Sequence, residues 1–138
     1  MAATKELLFT YGTLRKGESN PMQRYLENNA EWIAKATFQG KLYFADGHPA
    51  ATPTTDENSQ ILGDLFEFDE SSGLLQELDR YEAYRPANPE KSLYLRKKRK
   101  VSLKESNEIC DAWIYIYNRP VDNATPIPSG DYAQFSKG

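Results

Sequence analysis

The sequence predicts an α+β fold, and three observations carry that prediction. Five segments are rich in β-branched and aromatic residues, two short segments have helical apolar spacing, and glycine- or proline-bearing turns separate them. Five or so strands with helices between them suit a compact α+β domain, whose sheet this pattern leaves either open or partly closed into a barrel. The 138 residues fit one domain spanning 1–138, and a 39% hydrophobic content is enough for a core without disulfide staples.

The first strand, Leu7-Leu8-Phe9-Thr10, runs straight into Tyr11-Gly12-Thr13-Leu14-Arg15-Lys16-Gly17. Gly12 lets the backbone turn sharply or lets another group approach it closely. The N–H groups of Thr13, Leu14 and Arg15 could then share a hollow that holds a carboxylate or a developing oxyanion. The plainer alternative is a buried strand followed by an ordinary turn. Residues 15–19 read as a polar loop, and Asn20-Pro21 opens a helix: Asn caps free N–H groups, and Pro suits the first helical position. Met22, Tyr25 and Leu26 share one face, and Asn28-Asn29 ends the helix.

Residues 31–44 read as a strand that Gly40 interrupts as a bulge or barrel corner. Ala45-Asp46-Gly47-His48-Pro49-Ala50 is turn chemistry, and 53–59 is a second polar loop. In the strand at 61–68 Asp64 disturbs the alternation, while Leu65-Phe66 suggests cover on both faces. Asp69-Glu70-Ser71-Ser72 opens a second helix whose apolar positions are Leu74, Leu75, Leu78 and Tyr81, with Arg85-Pro86 as its stop. The last strands are 92–103, with a charged middle, and 109–117. In the latter, Ala112, Ile114 and Ile116 face one side and Trp113, Tyr115 and Tyr117 the other. Residues 118–138 read as irregular.

Glu82 is the carboxylate in an unexpected place. It follows Leu78 by four residues and Leu75 by seven, so it shares their helical stripe. Burial there would raise its pKa and make it a proton acceptor near neutrality. Alternatively the helix ends early, leaving Glu82 solvated or paired with Arg80 or Arg85.

Taken together, Tyr11-Gly12-Thr13-Leu14-Arg15-Lys16-Gly17, Gly40-Lys41-Leu42-Tyr43 with Pro49-Ala50, Gly63-Asp64-Leu65-Phe66 and Leu78-Asp79-Arg80-Tyr81-Glu82-Ala83-Tyr84 resemble, in order, segments of the gamma-glutamylcyclotransferase-like family. Ala83 departs from that pattern, since relatives often have glycine there. The resemblance implies a mixed β-barrel of about five to six strands flanked by short helices. It implies cleavage of gamma-glutamyl amides, in which the substrate's α-amine attacks its γ-carbonyl, expelling an amine and leaving 5-oxoproline. It also implies Glu82 as general acid/base, Tyr11, Gly12, Thr13 and Leu14 as the substrate loop, Tyr115 facing the same mouth, a small-molecule gamma-glutamyl substrate, and no cofactor or metal.

Other features exclude other classes. The net charge of -3 gives no global attraction to nucleic acid or an anionic membrane. Arg96-Lys97-Lys98-Arg99-Lys100 is a dense basic run, but the neighbouring Leu93, Leu95, Val101 and Leu103 keep a strand's phase, so it reads as a solvated strand middle. One cysteine, Cys110, and one histidine, His48, give no metal-binding spacing, and a reducing, cytoplasmic compartment is the expectation. No signal sequence or membrane span is read from the chain. Two rival functions remain on sequence: a non-catalytic module binding a small acid, and a nucleic-acid-binding barrel using 96–100.

Overall fold

The structure, a computed structural model, describes residues 4–137. In chain order its elements are β1 (Lys5–Thr10), α1 (Pro21–Asn29), β2 (Glu31–Ala45), β3 (His48–Pro53), β4 (Gln60–Asp69), α2 (Leu74–Tyr81), β5 (Tyr94–Leu103), β6 (Ile109–Tyr117), β7 (Thr125–Pro126) and α3 (Tyr132–Lys137). Five strands close a barrel in the order β2-β4-β1-β6-β5, and β5 returns to β2 through the pairs Ala36–Leu103 and Thr37–Ser102. The β1–β6 pairing is parallel and the rest are antiparallel, so the barrel is mixed. Those five strands are the five read from the sequence.

The two added strands, β3 and β7, both pair with the second half of β2. The handover falls at Gly40. Up to Gln39, β2 pairs with β4; from Gly40 onward it pairs with β3. A Cβ at position 40 would lie 2.7 Å from the Thr52 carbonyl oxygen, so this corner needs glycine. The bulge itself sits earlier, between Trp32 and Ala34.

Period-2 alternation sorts the strands between two cores. Phe9, Phe38, Ile61, Leu65, Val101, Ala112, Ile114 and Ile116 fill the barrel. Leu8, Phe66, Phe68, Tyr115 and Tyr117 point outward, where Leu26 of α1 and Leu74 and Leu78 of α2 cover them. The two-sided character read from β6 therefore marks the wall between barrel and helices.

Three expectations need correction. The stretch from Ala45 to Ala50 is not one turn: only Asp46 and Gly47 turn, with φ of 49° and 83°, and His48 already opens β3. Asp-Gly with both residues left-handed is the two-residue hairpin turn that matches strand twist. Pro49 and Pro53 obscured the strand, yet proline is tolerated at a sheet edge. Secondly, Asp69 caps only a short 3-10 turn, Glu70–Ser72, accepting the Ser71 N–H at 2.9 Å; Gly73 then bends the chain (φ 80°) before α2 starts. Thirdly, the tail carries β7 and α3. The first helix is as read: the Asn20 side-chain oxygen accepts the Gln23 N–H at 2.8 Å, with Pro21 at the first helical position.

The end of α2 also differs from expectation. The helix stops at Tyr81, well before Arg85-Pro86. Ala83 adopts φ 53°, the Glu82 N–H donates to the Leu78 carbonyl at 2.8 Å, and the Tyr84 N–H donates to the Asp79 carbonyl at 2.9 Å. This left-handed termination favours glycine, because a Cβ is crowded at that φ. Ala83→Gly is expected to raise unfolding free energy by about 0.5–1 kcal/mol, measured by urea denaturation; a loss of stability would contradict the assigned strain.

Candidate active site

The site begins where β1 ends. Gly12 and Arg15 close a turn, the Arg15 N–H donating to the Gly12 carbonyl at 3.2 Å. The Arg15 amide is therefore occupied within the turn, and the amides of Gly12, Thr13 and Leu14 lie outside that bond. Pro49 of β3 lies against the turn: a Cβ on Gly12 would come 2.5 Å from Pro49 Cγ. Close approach, and not an unusual φ, is why glycine stands at position 12. The Pro49 carbonyl in turn accepts the Tyr94 hydroxyl at 2.5 Å.

Arg15 is buried, although the sequence placed it in a polar loop. Its Nε donates to Asp64 Oδ2 at 3.1 Å and its Nη1 to Asp131 Oδ1 at 2.8 Å. Asp64 also accepts the Lys16 N–H at 3.0 Å and the Trp32 Nε1–H at 3.0 Å, so its buried charge is fully partnered. The irregular alternation at Asp64 was the trace of this role in the sequence. The Asn20 side-chain amide donates to the Thr13 carbonyl at 2.8 Å, fixing the turn from its other flank.

Across from the turn stands the end of α2. Glu82 is half-buried as a residue, but the protein is dense around its carboxyl, and this loss of water raises its pKa from the usual 4.5 to about 8. Neither Arg80 nor Arg85 partners it; Arg80 pairs with Glu77. Glu82 lines a narrow cleft of about 30 Å³ with Leu8, Phe9, Thr10, Tyr11, Gly12, Leu14 and Tyr115. The structure thus brings Tyr11, Gly12, Leu14, Glu82 and Tyr115 together. Thr13 is not on the cleft wall; its hydroxyl meets that of Tyr81 at 3.0 Å.

The tyrosines around Glu82 are held by hydroxyl bonds. Tyr11 donates to the Tyr115 carbonyl at 2.5 Å, and Tyr115 donates to Asp79 Oδ1 at 2.7 Å. Burial first, then the neighbouring Tyr94 and Glu82, pushes the Tyr11 pKa well above its ordinary value. Burial also raises Tyr94 and Tyr115, the latter helped by its bond to Asp79. These phenols stay protonated at neutral pH, so Glu82 is the cleft group poised to exchange a proton there. Sequence reasoning missed Asp64, Asp79, Tyr94 and Arg96, each of which acts through a partner distant in the chain.

The family model described as gamma-glutamyl cyclotransferase, AIG2-like, matches residues 8–134. The chain belongs to this family. It is 31% identical over 130 residues to a gamma-glutamylcyclotransferase-class protein of Methanocaldococcus jannaschii, covering 94% of this chain and 98% of that one. It is 32% identical over 129 residues to the gamma-L-glutamyl-butirosin B gamma-glutamyl cyclotransferase of Niallia circulans, covering 93% and 76%. Among solved structures, YkqA of Bacillus subtilis superposes with a TM-score of 0.69 at 30% identity, over 97% of this chain but 43% of the YkqA chain. The protein is accordingly a gamma-glutamylcyclotransferase-like enzyme, built on the mixed barrel that the sequence resemblance implied.

Burial of Glu82 has a consequence for stability. The folded state keeps the carboxyl proton up to about pH 8, whereas the unfolded chain releases it near 4.5. Between those values the folded state holds the extra proton, so stability falls as pH rises, by at most about 1.4 kcal/mol per pH unit from this group. Glu82→Gln is expected to flatten the profile of unfolding free energy between about pH 5 and pH 8; slopes identical to wild type would contradict the desolvated carboxyl.

Proposed function

We propose that the enzyme releases 5-oxoproline and a free amine from gamma-glutamyl amides, with Glu82 as the single acid/base. The observation that carries this reading is a glutamate whose pKa is raised to about 8 by burial, on the same cleft as Gly12 and Leu14 of the turn after β1. A gamma-glutamyl group can lie between them. Its α-amine gives a proton to Glu82, and its nitrogen attacks the γ-carbonyl carbon. The N–C bond closes the five-membered ring, and the bond to the departing nitrogen breaks as Glu82 returns the proton to it. No water is consumed, and the protein supplies no nucleophile. Because attack is intramolecular, most of the orientation needed is already in the substrate, and the narrow cleft need only hold it folded.

The amides of Gly12, Thr13 and Leu14 supply either the α-carboxylate site or the oxyanion site. Tyr11 and Tyr115 pack the glutamyl chain. A gamma-glutamyl amino acid, a gamma-glutamyl-lysine remnant and a gamma-glutamyl-protected metabolite amine all present the required bond; the Niallia circulans relative's name gives gamma-L-glutamyl-butirosin B.

The test is 5-oxoproline release from a panel of these three amide types. Wild type is expected to turn over at least one of them, with kcat/KM rising with pH through about 8 as Glu82 ionises. Glu82→Gln should lose about 10²–10⁴-fold with its fold intact by circular dichroism. Equal release by both proteins would remove Glu82 from the chemistry, and no release by wild type would favour a binding module.

A further inference from the structure

Three residues before Glu82, in the short helix α2, Asp79 is buried with its carboxylate fully engaged. Arg96 of β5 grips it with two bonds, Nε to Oδ1 at 2.8 Å and Nη2 to Oδ2 at 3.2 Å. The Tyr115 hydroxyl of β6 donates to the same Oδ1 at 2.7 Å. Arg96 is itself fixed over two aromatic faces, its guanidinium carbon 4.8 Å from the Trp113 ring centre and 5.7 Å from that of Tyr84. One carboxylate thus ties the end of α2 to two barrel strands.

We propose that Asp79 is a positioning residue, held by Arg96 and Tyr115 so that the last turn of α2 keeps the Glu82 carboxyl inside the cleft. The proposal rests on the reading of Glu82 as acid/base. Helix α2 has eight residues, with Leu74 and Leu78 buried in the core and Leu75 packed partly against it. In its final turn Leu78 faces the core, while Tyr81 is 43% exposed, so beyond Leu78 the helix end is held to the barrel by a polar tie. Asp79 is the polar side chain that ties this end to β5 and β6, and its carbonyl also closes the helix by accepting the Tyr84 N–H at 2.9 Å. The tie reaches the opposite wall of the cleft as well, because the Tyr115 carbonyl accepts the Tyr11 hydroxyl. Buried ion pairs add little net stability but fix geometry where an apolar contact would slide. Here the geometry fixed is that of a glutamate and a tyrosine on the cleft wall.

Glu82 is faced by Tyr11 after β1, Tyr94 on β5 and Tyr115 on β6, all protonated; on its own helix Arg80 is engaged by Glu77. No cation among the described residues pairs with its carboxylate, so its titration reports its depth in the cleft. The experiment compares wild type, Asp79→Asn, Arg96→Lys and Tyr115→Phe, each with and without Glu82→Gln, so that the difference within each pair isolates the Glu82-dependent part of stability against pH without any substrate. In Asp79→Asn the Glu82 midpoint is expected to fall from about 8 toward 4.5, and kcat on a substrate that wild type turns over to fall about 100-fold with KM changed less. Arg96→Lys, which keeps charge but loses the fork, should shift both in the same direction by less. A midpoint unmoved in Asp79→Asn, with kcat per folded molecule intact, would overturn the proposal. If Asp79→Asn does not fold, Tyr115→Phe and Arg96→Lys decide by the same two readouts. Inactive wild type with a shifted midpoint would reject the reaction while leaving the positioning intact.

Discussion

Moving a glutamate carboxyl out of water is costly unless the charge finds a cation or the group keeps its proton. No cation among the described residues pairs with Glu82, so it keeps its proton to about pH 8, and this is the constraint on which the site depends. A group in that condition drifts back to solvent unless the backbone beneath it is held. The fold holds it from two sides. Leu74 and Leu78 seat α2 on the outer face of the barrel, and Asp79 fastens its end to β5 and β6. The barrel is closed, so those strands have little freedom to follow the helix outward.

The turn facing Glu82 is held with equal economy of parts. Pro49 supports it from behind, Tyr94 holds Pro49, and the buried Arg15 ties the turn to Asp64 in β4 and to Asp131 before α3. Each wall of the cleft is therefore backed by a buried carboxylate paired with an arginine, Asp64 with Arg15 and Asp79 with Arg96. Both carboxylates keep charge-assisted partners, and the unpaired one between them is free to exchange its proton. Asp64 and Asp79 each have an arginine partner, whereas no cation among the described residues pairs with Glu82, and the three acids take different roles.

Features set by neighbouring residues were legible in the sequence. Asn20-Pro21 specified a helix start, Gly40 marked the corner of β2, and the alternation from Ala112 to Tyr117 revealed a strand with two dry faces. Glu82 was visible because a helical stripe of leucines led to it. Features set by distant partners were not. Asp79 gains its meaning from Arg96, 17 residues on, and Arg96 stood at the head of Arg96-Lys97-Lys98-Arg99-Lys100, where charge density concealed it. The run is otherwise as read, with Lys97, Lys98, Arg99 and Lys100 exposed on β5. Strand β3 was hidden for another reason: its prolines obey edge-strand rules that apply only once the edge is known. In the matching segment Leu78-Asp79-Arg80-Tyr81-Glu82-Ala83-Tyr84, structure gives four positions separate tasks: core contact at Leu78, docking at Asp79, the cleft carboxyl at Glu82, and the ring beneath Arg96 at Tyr84.

The most direct test of this account is the titration of one carboxyl. In protein with ¹³C-labelled glutamate, the resonance lost in Glu82→Gln identifies Glu82, and its shift is followed against pH by NMR. The account predicts a midpoint at about 8. A midpoint near 4.5, the usual glutamate value, would place the carboxyl in water and contradict the buried acid/base on which the proposed chemistry rests.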